Sequence, residues 1–86
     1  MKIKQGLVLR EVAGSYVIVD LGGELNFKGM LTLNETGAFI WRLLMQGKTQ
    51  TEIAALLTEE YEILQDAALT DVNTFIEKMN GAGVFE

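Results

Sequence analysis

The sequence predicts an α+β fold: a three-stranded antiparallel sheet on the N-terminal side, followed by three α-helices. Three observations predict it. Two short runs rich in β-branched and aromatic residues, "LVLREV" (7–12) and "YVIVDL" (16–21), come first, with a turn between them. From residue 34 onward, three segments carry apolar residues at helical spacing, each with start and stop signals. Strands and helices do not alternate, which separates this order from a parallel βαβ one.

The first two runs read as a hairpin closed by Gly14-Ser15, a dipeptide suited to a two-residue turn. That register sets Val12 opposite Val17, Val8 opposite Leu21 and Arg10 opposite Val19, with the valines and Leu21 on the buried face. Arg10 then lays its aliphatic stem along the sheet and keeps its head in water. The next stretch, "LGGELNFKG" (21–29), leaves two arrangements open. A tight Gly22-Gly23 turn would put Glu24, Asn26 and Lys28 on the apolar face, so a three-residue loop with a bulge is needed to bring Leu25 and Phe27 there. Alternatively the whole stretch is loop and the third strand is only Met30–Leu33. Either way a third strand falls within 24–33.

Asn34 caps the first helix, which runs to about Met45 or Gln46 with Gly47 as its left-handed stop. Thr49 and Glu52 form a capping box that opens a second helix over about 50–60, its stripe being Ile53, Leu56, Leu57 and Tyr61. Asp66 caps a third helix to about Asn80, with Leu69, Val72, Phe75, Ile76 and Met79 on one face and Gly81 and Gly83 ending it. The first helix is unusual. Between Ala38 and Met45 its only polar side chain is Arg42, so apolar groups cover nearly its whole circumference. Such a helix needs neighbours on several sides, and a position between the sheet and the other two helices supplies them. The body is then winged-helix-like, with Trp41 as a core anchor.

Composition narrows the chemistry. With 86 residues, 49% hydrophobic and 22% charged, the chain reads as one soluble domain over 1–86. No stretch reaches the about 18 apolar residues that span a bilayer. The apolar run in "MKIKQGLVLREV" is soon broken by Arg10 and Glu11 and lacks a small-residue cleavage site, which argues against a signal peptide. With no cysteine, a cytoplasmic location fits. The absence of both His and Cys removes the commonest metal ligands and the usual catalytic base and thiolate, which argues against an enzyme and against a metal or other cofactor. Residues 1–48 hold six basic against four acidic side chains, whereas residues 49–86 hold one basic against eight acidic. The acidic half repels phosphate backbones; it reads either as a solvated surface that keeps the domain soluble or as a field that favours a basic partner.

Several motifs resolve into scaffold. "TQTEIAALL" resembles the first helix of a DNA-reading helix-turn-helix, but the following helix offers Asp71, Asn73, Glu77 and Lys78 where base-reading residues belong. Nucleic acid is therefore not the expected partner. Gly22-Gly23 lacks the lysine and spacing of a phosphate loop, "EEYE" lacks the alternating ligands of a calcium loop, and Asp66 and Asp71 read as a cap and a surface residue. What remains is an edge. A third strand that leads straight into a helix lies at the sheet margin, where an extended peptide adds itself as a further strand. The third helix makes the other wall, with Asp71 and Lys78 flanking Phe75 to give an apolar floor and a charged rim. A homodimer mate covering the same margin is the competing occupant.

Read together, "LVLREV", "LNETGAFIWRLL", "KTQTEIAALL", "EEY" and "DVNTFIEKMNGAGV" resemble, in order and spacing, the PqqD-like family. This family comprises the pyrroloquinoline quinone biosynthesis protein D proteins and the related precursor-peptide recognition elements, and the resemblance covers residues 5–85. It implies a winged-helix-like domain without catalytic activity. Such domains bind the leader segment of a ribosomally made precursor peptide and deliver it to a modifying enzyme, often a radical SAM enzyme with iron–sulfur clusters. The leader docks as an added strand beside the third strand and against the third helix. By position, that implies contacts from Met30, Leu31 and Thr32 on the strand and Asp71, Phe75 and Lys78 on the helix.

Overall fold

The computed structural model describes residues 2–21 and 30–86. Its elements follow the expected order: β1 (Leu7–Val12), β2 (Ser15–Asp20), β3 (Met30–Leu33), α1 (Glu35–Met45), α2 (Gln50–Tyr61) and α3 (Gln65–Gly81). The strands pair antiparallel in the order β1-β2-β3. The third strand is thus the short Met30–Leu33 alternative, while the bulged arrangement of Leu25 and Phe27 falls outside the described residues.

The hairpin differs from the expected register. Its turn is Ala13-Gly14, with φ of 51° and 82°, and Val12 pairs with Ser15, Arg10 with Val17 and Val8 with Val19. Both central residues of this tight turn need positive φ, and an alanine supplies one of them at some steric expense. The buried face is also the opposite one. Ile18 is fully buried, Leu7 and Leu33 are buried, and Leu9 and Leu31 pack against the core. Val17 and Val19 are only half-buried on the other face, and Val12 and Leu21 are exposed. Because apolar residues run on both sides of these strands, alternation did not choose a face. Size did: the inward side chains are the leucines and the isoleucine, which remove more apolar area from water than the valines.

The helices form the rest of the core. Ile40 and Trp41 are each 1% exposed, and α1 touches β2, β3, α2 and α3. Arg42, the one polar group in this run, sets its guanidinium 5.5 Å from the Tyr16 ring centroid, and Phe39 meets Tyr61 edge-on at 5.6 Å. At the start of α1, the Asn34 side chain accepts from the Gly37 N–H at 2.7 Å, and Gly47 takes φ 83° just beyond its end. The terminal segments meet at an Ile3–Phe85 bridge, where Lys4 N donates to Val84 O and Glu86 N to Lys2 O. No periodic signal announced that pairing.

Helix α3 departs from the expected pattern in three places. Its N-cap is Leu64, with no side-chain cap, and Asp66 lies within the first turn, where its charge suits the helix dipole. Three residues after α2 closes on Glu62 in the left-handed conformation (φ 54°), the chain is already helical again at Gln65, too early for Asp66 to cap. Leu69 is 37% exposed, and the smaller Ala68 takes the buried place beside Val72. Gly81 belongs to the helix; the left-handed residue is Gly83 at φ 80°. No helix among the described residues is long and apolar enough to cross a membrane.

The capping box of α2 is complete, with Thr49 N donating to Glu52 Oε1 at 2.9 Å and Glu52 N to Thr49 Oγ1 at 3.2 Å. The Thr49 backbone N–H, then its hydroxyl and the Lys48 charge, hold the Glu52 carboxyl below the ordinary carboxylate range. A depressed folded-state pKa adds stability above the unfolded value, and that increment is lost as pH falls through the folded one. We therefore expect Thr49→Ala to lower unfolding stability by about 1 kcal/mol in urea, followed by Trp41 fluorescence. With Glu52→Gln, which keeps the hydrogen bond but not the charge, the stability gap from the parent should be constant above about pH 5 and close below about pH 4.

Candidate functional site

Strand β3 pairs with β2 along one margin, and no described strand flanks the other. An antiparallel strand at such a margin turns alternate backbone N–H and C=O groups outward. Where β3 runs through Asn34 into α1, a trench of about 350 Å³ opens between this junction and α3. Its floor is apolar: Leu33, Gly37, Ile40 and the Phe75 ring. The opposite rim is polar, made of Asp71, Thr74 and Lys78, all exposed. These three share one face of α3 with Phe75 because positions 71, 74, 75 and 78 follow helical spacing. Asp71 and Lys78 stand seven residues apart, about 10 Å along the axis, so the rim is acidic at one end and basic at the other.

A second hollow of about 370 Å³ lies at the far end of α1, between Lys2 and Ile3 and the Leu44–Gly47 segment. Volume does not choose between the two. The first opens beside a strand margin able to pair with another backbone, whereas the second borders the Ile3–Phe85 bridge. Among the described residues no cluster of His, Cys, Asp or Glu could hold a metal ion, and no polar or charged residue is buried.

The structure brings Asp71, Phe75 and Lys78 together in the trench. Met30, Leu31 and Thr32 form the strand leading to it, and neither Leu31 nor Thr32 lines it. Met30 pairs with Val19, Leu31 is half-buried against the core, and Thr32 is exposed on the opposite sheet face beside Val17. The strand's contribution to the trench is Leu33. Sequence reasoning also missed Thr36, Gly37, Ile40 and Thr74. The helical spacing that selected Asp71, Phe75 and Lys78 also selects Thr74. The α1 residues had no such signal, since their exposure to the trench depends on how α1 and α3 cross.

Residues 15–84 match the model of the family described as coenzyme PQQ synthesis protein D (PqqD). The chain belongs to the PqqD family. No curated protein sequence matches it. Among solved structures, the fold is similar to TbiB1 in complex with the TbiA(beta) leader peptide, with a TM-score of 0.81 and 24% identity over 100% of this chain and 95% of that one. It is also similar to lasso peptide synthetase B1 complexed with the leader peptide, with a TM-score of 0.76 and 21% identity over 93% of this chain and 89% of that one. At these identities the likeness is one of fold.

The rim is separable from the scaffold. Asp71→Asn and Lys78→Gln should each leave urea stability within about 0.5 kcal/mol of the parent, because both side chains are exposed. Phe75→Ala should lower it by about 3 kcal/mol, because Phe75 is only 9% exposed and packs in the core.

Proposed function

We propose that this chain is a non-catalytic adaptor. It receives the leader segment of a ribosomally made precursor peptide as an added strand on β3, with alternate side chains in the trench beside α3, and presents it to a modifying enzyme, a radical SAM maturase. Residues 1–86 act as one recognition domain. The carrying observation is the continuity of the β3 margin with a trench whose floor is apolar and whose rim bears both charges. Membership of the PqqD family supports the reading. So does the leader peptide named in both similar structures, which share the fold with this chain. On β3 the contacts would come from the backbone of Met30, Leu31 and Thr32, and on α3 from Asp71, Phe75 and Lys78.

Energetics assigns the two surfaces different tasks. β3 is four residues long, and each added main-chain hydrogen bond contributes about 0.5–1.5 kcal/mol net. Such bonds are indifferent to side chain, so the strand margin supplies affinity and register. Discrimination between peptides falls to the trench.

Synthetic leader peptides encoded near this chain's gene should show saturable binding by fluorescence anisotropy, and none binding would sink the adaptor reading. A proline placed mid-segment in a binding leader should abolish docking, because it removes a backbone donor. Equal affinity for that variant would exclude strand addition. Sedimentation alongside distinguishes a second copy of the chain on the same margin, which peptide would displace.

A further inference from the structure

If a peptide strand docks here, the side chain that the trench accepts is set by a residue that has none. Gly37 lies buried in the first turn of α1, on the trench floor. A Cβ at this position would stand 3.1 Å from Phe75 Cε1, 3.2 Å from Asn34 Oδ1 and 3.4 Å from the Leu33 Cβ. Its φ is not among the positive ones, so backbone conformation does not call for glycine. Within a helix, glycine is destabilising relative to alanine. What its absent side chain permits is contact: the Phe75 ring lies against the α1 backbone and serves as floor. With a Cβ at 37, the ring would have to move outward by a few tenths of an ångström.

The geometry points to Gly37 as the residue that sets the depth of the trench, and so to a leader segment bearing one bulky apolar side chain seated on Phe75. This rests on the peptide-docking reading and specifies its ligand. On an extended strand, the same-face neighbours two positions either side of that anchor are about 13 Å apart. Asp71 and Lys78, about 10 Å apart on the rim, are within reach of a flexible basic and a flexible acidic side chain there. The ligand class is therefore basic–x–bulky apolar–x–acidic, read in the direction that the added strand runs.

The probes are blocked heptapeptides, Thr-Lys-Thr-Xaa-Thr-Glu-Thr and its charge-reversed order Thr-Glu-Thr-Xaa-Thr-Lys-Thr, with Phe, Leu or Ala as Xaa. Each is titrated into the ¹⁵N-labelled chain, following the amides of Leu33, Gly37, Phe75 and Lys78. In one of the two orders, the Phe and Leu peptides should bind about tenfold more tightly than the Ala peptide. Gly37→Ala should compress that ratio to about threefold or less, and Gly37→Val should remove it, with the Ala peptide unaffected. Adding Phe75→Leu to Gly37→Ala, which deletes the colliding Cε1, should restore the preference. Loss of folded protein weakens all peptides alike and leaves the ratio unmoved.

A parental ratio retained in Gly37→Ala overturns the inference and leaves the adaptor reading standing. So does binding of encoded leaders without response to any heptapeptide. Silence from leaders and heptapeptides together overturns both. If the Gly37 variants do not fold, Phe75→Leu on the parent decides. It deepens the trench and should raise the Phe-over-Leu preference about threefold; an unchanged preference overturns the assignment of depth to this contact.

Discussion

Helix α1 buries Gly37, Ala38, Ile40, Trp41 and Leu44 and leaves Glu35, Arg42 and Met45 exposed, and the other elements are placed by having to cover its buried side. Ile40, Trp41 and Leu44 each contribute about 2 kcal/mol by leaving water, and the sheet, α2 and α3 share the task of covering α1. The sheet takes one side through Ile18 and Leu33, while α2 and α3 take others through Ile53, Leu57, Val72 and Met79. This wrapping has a consequence for the surface. α3 is drawn in beside the start of α1, where β3 ends, and the trench is the gap left where the three elements meet.

The two margins of that gap obey different physics. A strand edge binds through backbone groups common to nearly every peptide, so it is permissive by construction. The α3 wall is chemically particular, with Phe75 between an acid and a base. On one scaffold, such a division lets the chemistry of the trench change through a few α3 and α1 side chains while the strand margin is left untouched.

Much of this was legible before any coordinates. The α+β order, the Asn34 cap, the Thr49–Glu52 box, the Gly47 stop and the burial of Trp41 rest on local signals, and each is in place. So is the α3 side of the trench, because residues 71, 75 and 78 share a helix face by spacing alone. The hairpin register and its buried face differ from what the sequence predicts. Valines, leucines and an isoleucine run on both sides of β1 and β2, so alternation carried no information about which side meets α1. Capping chemistry at Asp66 misled for a related reason: a short connection from α2 starts α3 before that residue is reached.

By itself, then, the sequence determined which segments are strands and helices, where most of them begin and end, and which α3 residues face one direction, because these follow from short-range periodicity and caps. Only the tertiary structure decided which sheet face is inside, that the two termini pair, and that Gly37 brings Phe75 onto the α1 backbone. Those outcomes depend on side-chain volumes competing for one core and on the close approach of elements distant in sequence, which no local pattern records.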